Sequence, residues 1–204
     1  MITSTQAIAD AVEITDCITL VTSPNEPILT NFAMDLAESA ATGGEFYGYQ
    51  FKDSERVLYI GDETLQILKD RFKSTHGINL FVISGQRHGS LSDYNTRDNL
   101  KHLVDALEID LLIINTHPLV KDIYDDYDVQ AAFHFLKELA ADGVRSIIMH
   151  PTRKLLDSQG IISLGGLKGT SYFKALPRII LYLSPVEDSN PEVTILKYRG
   201  RVVK

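Results

Sequence analysis

Polar and ionisable residues recur where the apolar runs of this sequence end. They fall in five short segments, at residues 23–30, 61–63, 84–88, 115–117 and 150–154. Side chains of these types move protons and bind phosphate groups or metal ions, and they include the carboxylate of Glu63 and the imidazole of His150. The carboxyl ends of parallel strands meet at one edge of a sheet, and ligand sites of α/β proteins lie at that edge. One such segment would mean little, but five at one edge predict a functional site.

Strands that alternate with helices must position these segments. Short apolar runs predict strands at residues 18–22, 57–60, 80–83, 110–115 and 146–149. Apolar spacing predicts helices at residues 5–12, 27–40, 65–72, 93–107 and 129–141, with Asn25 and Asp62 as N-caps of the second and third. Further short strands are predicted at residues 161–162, 178–183 and 193–196. We therefore expect an α/β fold in one domain, residues 1–204, with a mostly parallel central sheet and antiparallel C-terminal edge strands.

Two connecting segments have a distinctive composition. Residues 47–49, Tyr-Gly-Tyr, are expected to form an exposed aromatic loop. Residues 122–128 contain four aspartates and two tyrosines. A cation site is one interpretation of that acidic segment, but its composition favours a solvated loop.

The amino-acid composition indicates the cellular compartment and limits the classes of partner. The net charge of -7 argues against a protein that coats nucleic acid nonspecifically, although Lys197, Arg199, Arg201 and Lys204 form a basic, acid-free segment. The one cysteine, Cys17, excludes an intramolecular disulfide, and we expect its thiol to be buried because it begins an apolar run. A reducing, cytoplasmic location is expected. Neither a signal peptide nor a membrane-spanning segment is expected.

Residues 17–37 contain a buried strand, a short loop and a helix, in the order found in a nucleotide-binding P-loop. A P-loop grips phosphate through glycine backbone N–H groups and a lysine. The loop of this chain contains neither residue type. The stretch therefore predicts either a P-loop fold that has lost its phosphate grip or an unrelated fold.

Five further motifs favour the first interpretation. Residues 57–63 form a strand followed by acidic residues, residues 110–115 form an apolar strand ending in Asn115, and residues 146–154 form a strand ending in His-Pro-Thr-Arg-Lys. Residues 165–171 are rich in glycine, and residues 195–200 contain Lys-Tyr-Arg. In order and spacing these motifs resemble the RecA-like core of hexameric replicative helicases, the RepA and DnaB branch. The resemblance covers roughly residues 14–203.

The resemblance implies a three-layer RecA-like P-loop NTPase fold and a set of residue roles. Glu63 falls on the family's catalytic base, which orients the attacking water. His150 falls on the phosphate sensor. Lys197 and Arg199 fall on the finger residues that act on the nucleotide of a neighbouring subunit. The family's DNA-facing positions correspond to four residues of this chain, Lys168, Thr170, Arg153 and Lys154.

This chain departs from the family at the nucleotide loop. When Thr30 is aligned with the family's serine or threonine, Ile28 takes the place of the glycine and Leu29 that of the lysine. Ile28 adds bulk where a phosphate needs room, and Leu29 removes the cation. Pro24 and Pro27 also remove two backbone N–H donors. These changes predict that ATP does not bind tightly.

A vestigial nucleotide site would still contain Ser23, Asn25, Ile28, Leu29, Thr30 and Asn115. The family's Walker B aspartate falls on Asn115, which is neutral. Thr30 keeps a hydroxyl that could ligate magnesium. The resemblance thus implies either no cofactor or weakly bound ATP with magnesium.

Three functions are compatible with these residues. The leading hypothesis is a degenerate RecA/RepA-like protein of DNA replication or recombination, which works through subunit contacts and single-stranded DNA. It would form homo- or hetero-oligomers with RecA-like or replication proteins, as in a phage or plasmid system. The second is an active ATPase or helicase-type motor subunit with an unorthodox loop. The third is a protein-binding scaffold that retains the fold. Whether the chain is an enzyme stays open.

Overall fold

The computed structural model describes residues 3–14, 17–72, 79–85, 89–115, 120–152, 164, 167, 169–186, 190–199 and 201–202. These residues contain ten β-strands. Their ranges are β1 Ile18–Ser23, β2 Glu45–Phe46, β3 Tyr49–Gln50, β4 Val57–Gly61, β5 Leu80–Ser84, β6 Leu111–Asn115, β7 Arg145–Pro151, β8 Ile179–Ser184, β9 Glu192–Tyr198 and β10 Arg201–Val202.

Eight of the described strands form one sheet in the order β10-β9-β8-β1-β7-β6-β4-β5. The six strands from β8 to β5 run parallel to one another, whereas β9 and β10 pair antiparallel at the other edge. The predicted α/β fold, with a mostly parallel sheet and antiparallel C-terminal strands, is confirmed. All residues of β1, β4 and β6 are buried, as expected for strands covered on both faces.

Six described helices cover the two faces of this sheet. They are α1 Ser4–Glu13, α2 Glu26–Thr42, α3 Leu65–Arg71, α4 Tyr94–Ala106, α5 Asp126–Ala141 and α6 Tyr172–Ala175. Helices α1, α2 and α3 pack on what we term the first face, with a core that includes Leu29, Phe32 and Leu68. Helices α4, α5 and α6 pack on the second face, with a core that includes Leu100 and Phe173. The chain therefore forms three layers.

Helix α2 has clear start and stop signals. The side chain of Asn25 accepts a hydrogen bond from the backbone N–H of Ile28, and Pro27 lies in the first turn. At the other end Gly43 takes the left-handed conformation, with φ 70°. The predicted helix at residues 27–40 is confirmed, and the structure extends it at both ends.

Three predictions about local structure are wrong. Helix α3 is capped by the side chain of Thr64, not by Asp62, because Thr64 is the residue directly before the helix. Residues 47–49 form the turn and the start of the second strand of the β2–β3 hairpin, and Tyr47 and Tyr49 are half-buried against the first-face core and not fully exposed. Helix α5 begins three residues earlier than predicted because Asp125 accepts hydrogen bonds from the backbone N–H groups of residues 127 and 128.

The acidic segment at residues 122–128 therefore belongs partly to the first turn of α5, where carboxylates are stabilised by the helix dipole. Within the described ranges, no group of three or more His, Cys, Asp or Glu residues is placed to hold a metal ion. The same ranges contain no helix with the length and apolar character to cross a membrane. Cys17 is buried, as predicted. The predicted strand at residues 161–162 lies outside the described residues.

Candidate functional site

The candidate site lies at the carboxyl edge of the parallel strands. Strand β4 leads into α3 on the first face, whereas its neighbour β6 leads into α5 on the second face; β1, which β7 separates from β6, leads into α2 on the first face. Adjacent strands whose connections leave toward opposite faces create a crevice, and ligands of α/β proteins bind in such crevices. The described parts of the predicted polar segments thus lie at an edge where the fold favours a ligand site, whereas residues 86–88, 116–117 and 153–154 lie outside the described residues.

The connection from β1 to α2 is short and closed by its own side chains. Only Pro24 and Asn25 separate Ser23, the last residue of β1, from the first residue of α2. The Ser23 hydroxyl donates to the carbonyl of Leu183 at 2.9 Å and accepts from the backbone N–H of Asn25 at 3.2 Å. The Asn25 side chain accepts from the N–H of Ile28 at 3.3 Å. The N–H groups of Asn25 and Ile28 are therefore already bonded within the connection and the first turn of α2.

The two residues aligned with the P-loop glycine and lysine do not face an open loop. Leu29 lies on the side of α2 that faces the sheet and is completely buried in the first-face core. Ile28 is half-buried and packs against the same core. A longer side chain at position 29 would therefore enter the core and not the edge of the sheet.

Thr30, Asn115 and Tyr59 form a small polar network on the first face. The Asn115 Nδ2 group donates to Thr30 Oγ1 at 3.1 Å and to Tyr59 Oη at 3.0 Å. Asn115 is fully buried, and its Oδ1 atom has no hydrogen-bond partner in the described part of the chain. Burial raises the pKa of the Tyr59 hydroxyl, and the hydrogen bond with Asn115 opposes that shift. The network is therefore neutral.

Sequence reasoning missed Tyr59. The signal was a tyrosine inside an otherwise apolar strand, because a buried tyrosine hydroxyl usually needs a hydrogen-bond partner.

Glu63 lies beside this network at the end of β4. Its Oε1 atom pairs with Arg71 Nη1 at 2.8 Å, and its backbone carbonyl accepts from the Ser84 hydroxyl at 2.8 Å. Its Oε2 atom is buried and has no partner among the described residues. Burial raises the pKa of the Glu63 carboxyl, and the opposing charge of Arg71 reduces that shift. A buried acceptor oxygen at this edge could receive a proton or a hydrogen bond from a ligand.

His150 occupies a different environment from Asn115 and Glu63. It is buried near the end of β7, and its ring stacks on Phe173 with a centroid distance of 4.3 Å and an interplanar angle of 16°. Phe173 belongs to the second-face core, whereas the Thr30–Asn115–Tyr59 network contacts the first face. The sheet thus lies between the predicted sensor and the predicted magnesium ligand.

The predicted finger residues bind groups of their own chain. Lys197 is buried, and its Nζ donates to the carbonyls of Lys174 and Ala175, at 2.8 Å each, at the C-terminus of α6. Burial lowers the pKa of the Lys197 amine. Arg199 is ion-paired with Asp10 of α1 at 2.8 Å. Lys197 pairs in register with residue 180, near the start of β8, so these residues lie away from the carboxyl edge.

Only one of the four predicted DNA-facing residues lies within the described ranges. Lys168, Arg153 and Lys154 lie outside them. Thr170 is largely buried; its N–H donates to the carbonyl of Ile123 at 3.0 Å, and its hydroxyl accepts from the N–H of Tyr172 at 3.3 Å. Thr170 therefore stabilises the turn that leads into α6.

Comparison with known proteins adds no family assignment, since neither a protein-family model nor a curated protein matches this chain. The chemistry of the site follows from its geometry. The described carboxyl edge contains buried acceptor oxygens at Glu63 and Asn115 and a half-buried hydroxyl at Thr30, but its β1–α2 connection offers little to an anion. Such an edge suits a neutral or cationic group better than a triphosphate.

Proposed function

We propose that this chain is a RecA-like protein that has lost ATP binding at its own β1 edge and serves as a binding subunit in DNA replication or recombination. One observation carries the proposal: the β1–α2 connection has two residues and is closed by Ser23 and Asn25. The process and the partners are inferred from the resemblance of the ordered motifs. We place the process in the cytoplasm, and the partners are RecA-like or replication proteins and single-stranded DNA.

The N-terminus of α2 lacks the groups that hold a triphosphate. A triphosphate at a helix N-terminus is held by free backbone N–H groups and a cation. Here Pro27 has no N–H, the N–H of Ile28 is bonded to Asn25, and Glu26 adds a negative charge in the first turn. Leu29, at the position of the lysine, is buried in the core. These features oppose binding of ATP.

The surroundings of Thr30 also oppose binding of magnesium. A magnesium ion that bridges phosphates needs the hydroxyl of Thr30 and a nearby carboxylate. The Thr30 hydroxyl instead accepts a hydrogen bond from Asn115, an uncharged amide. A metal ion would have to displace that amide and would gain no charge from it. At most, this edge would therefore bind magnesium and ATP weakly.

The main alternative is an active ATPase or helicase-type motor with an unorthodox loop. The Oε2 atom of Glu63, which has no partner among the described residues, favours it because that atom could accept a hydrogen bond from an attacking water. A protein-binding scaffold is the third function. Both the proposed function and the scaffold depend on contacts with other subunits, and neither requires nucleotide hydrolysis.

The deciding experiment is thermal unfolding of the purified chain with and without millimolar magnesium-ATP. The proposal expects no change in Tm, because a ligand that does not bind the folded state cannot stabilise it. A saturable rise of several degrees would contradict it. Glu63→Gln would then separate the alternatives, since an ATPase that uses Glu63 should keep the Tm rise and lose hydrolysis.

A second experiment tests the DNA partner. Fluorescence anisotropy with single-stranded DNA should show binding that weakens in Lys168→Ala, with a salt slope reduced by about one. Lys52→Ala is the matched control, since Lys52 is exposed and lies outside the predicted DNA-facing motifs. Unchanged affinity and salt slope in Lys168→Ala and Lys154→Ala would remove DNA from the proposal.

A further inference from the structure

A cavity of about 190 Å³ lies on the second face between α4 and the edge of the sheet. Its walls are mainly aliphatic. The strands supply Ile60, Ile83 and Ile114, and the segment around α4 supplies Leu91, Leu100 and Leu103. Folded proteins are packed at the density of organic crystals, so an apolar space of this size is unusual. The space opens to solvent on one side, and apolar spaces of this size accept apolar ligands.

The wall of the cavity is held in place by hydrogen bonds. Arg97 Nη1 donates to the carbonyls of Leu91 and Ser92, at 2.8 Å each, and so fastens the segment before α4 to the helix. Gly89 has φ +76°, and a Cβ at this position would lie 2.8 Å from Thr96 Oγ1. The glycine therefore lets this segment approach α4 closely. The cavity is built into the fold, as small-molecule sites usually are.

Two polar residues of α4 border the apolar space. Thr96 and Asn99 line the cavity one helical turn before Leu100 and Leu103. Asn99 is exposed, which places it at the opening. None of the described residues that line the cavity is ionisable. Among the described lining residues, an occupant therefore meets an aliphatic interior and an amide at the entrance, and these residues provide no charge to pair with a phosphate or carboxylate.

From this geometry we propose that the cavity binds a small uncharged molecule with one apolar ring and one hydrogen-bonding group. A cavity of about 150 Å³ holds a benzene molecule, so the present one accommodates a single ring or a small fused ring such as phenol or indole. The ring lies among Ile60, Ile83 and Ile114, and its polar group bonds to Asn99. This site is separate from the β1–α2 connection, so it does not depend on the proposed loss of ATP binding.

The first test uses phenol and indole as probes on the wild-type chain. Each should raise Tm in a saturable manner and shift the NMR methyl signals of Ile60, Ile83 and Ile114, while methyls of the first-face core stay unchanged. Asn99→Ala should weaken phenol binding up to about tenfold, the effect of one hydrogen bond, and leave toluene binding unchanged. Absence of saturable binding by both probes would overturn the proposal.

The second test fills the cavity. The chain has no tryptophan, so Leu103→Trp places one reporter indole where the ligand should lie. Its emission should be shifted to the blue, and the variant should bind phenol at least tenfold more weakly than the wild type. Leu107→Trp is the matched control, because Leu107 packs against the same core one turn later without lining the cavity. It should retain binding.

Other outcomes contradict the proposal. Equal phenol binding by Leu103→Trp and the wild type would place the probe elsewhere. Self-association of the wild type that Leu103→Trp abolishes, with no small-molecule binding, would assign the cavity to a side chain of a second copy. If Leu103→Trp does not fold, the wild-type methyl shifts decide the question alone.

Discussion

Arg145 is the residue whose removal should destabilise the described fold most clearly through charge. Its guanidinium pairs with Glu55 at 2.8 Å and donates to the carbonyls of Val12 and Asp110. The side chains of Arg145 and Glu55 are only 11% and 18% exposed. One arginine therefore links α1, β7 and the segments that precede β4 and β6.

The expected cost follows from these contacts. Breaking a buried ion pair from one side costs about 3–5 kcal/mol, because the remaining charge is left without a partner. The partial exposure of this pair reduces that figure, while the two lost carbonyl bonds add about 1 kcal/mol each. We expect Arg145→Met to lower the free energy of unfolding by ~3 kcal/mol. In a chain of this length the loss corresponds to a fall in Tm of roughly 6–12 °C.

The cost should depend on pH in a defined direction. Burial raises the pKa of the Glu55 carboxyl, and Arg145 limits that rise. Without Arg145, the pKa of Glu55 in the folded state rises further above the pKa of Glu55 in the unfolded chain. The folded variant then binds a proton more tightly than the unfolded one, so its stability falls as pH rises through this window. The difference from the wild type should be largest at neutral pH and smaller in acid.

Urea unfolding across pH, followed by circular dichroism, measures both effects. Arg56→Met is the matched control, because Arg56 forms an ion pair of the same 2.8 Å length with Glu108 at 40% and 78% exposure. That variant should lose at most ~1 kcal/mol. The reasoning is refuted if Arg145→Met loses no more than Arg56→Met and the loss is the same at all pH values. Glu55→Gln in the Arg145→Met background should recover part of the stability.

Three smaller perturbations test the first face. Gly61→Ala should lower the free energy of unfolding in urea by about 1–3 kcal/mol, because its Cβ would lie 2.8 Å from Leu68 Cδ2 and 2.9 Å from Tyr59 Cε1. Gly44→Ala is the control: its Cβ would have its nearest contact at 3.3 Å, and it should lower that free energy by less than half as much. Tyr59→Phe should cost about 1 kcal/mol by removing the acceptor of the Asn115 amide, and an unchanged urea midpoint would contradict that hydrogen bond. Asn115→Asp should cost about 1–3 kcal/mol at neutral pH and less in acid, since burial raises the pKa of a carboxyl; thermal unfolding at two pH values checks the sign.

The elements were largely predictable from the sequence because their signals are local. Apolar runs identified the five parallel strands through β7, and Asn25 with Pro27 identified the start of α2. The errors arose where two local signals compete. Asp62 and Thr64 are both good N-caps, and only the position of the first helical turn selects Thr64. Asp125 likewise begins α5 before its apolar stripe starts.

The site was predictable in position but not in its contacts. Alternating strands and helices bring Glu63 and Asn115 to one edge, which the sequence pattern indicates. The pairing of Lys197 with the end of α6, and of Arg199 with Asp10, joins residues distant in the chain. No local pattern encodes such contacts. Their partners become visible only when the sheet order is known.

The central position of β1 has a consequence for how the chain acquires its structure. Ile18 pairs with Ser146 and Thr19 pairs with Ile179, so both neighbours of this strand are synthesised long after it. Contacts between such distant residues make folding slow. During synthesis both edges of an apolar strand stay unpaired, which favours aggregation. The sheet can therefore close only after β8 has left the ribosome, and folding at low temperature or with a chaperone should raise the yield of native protein.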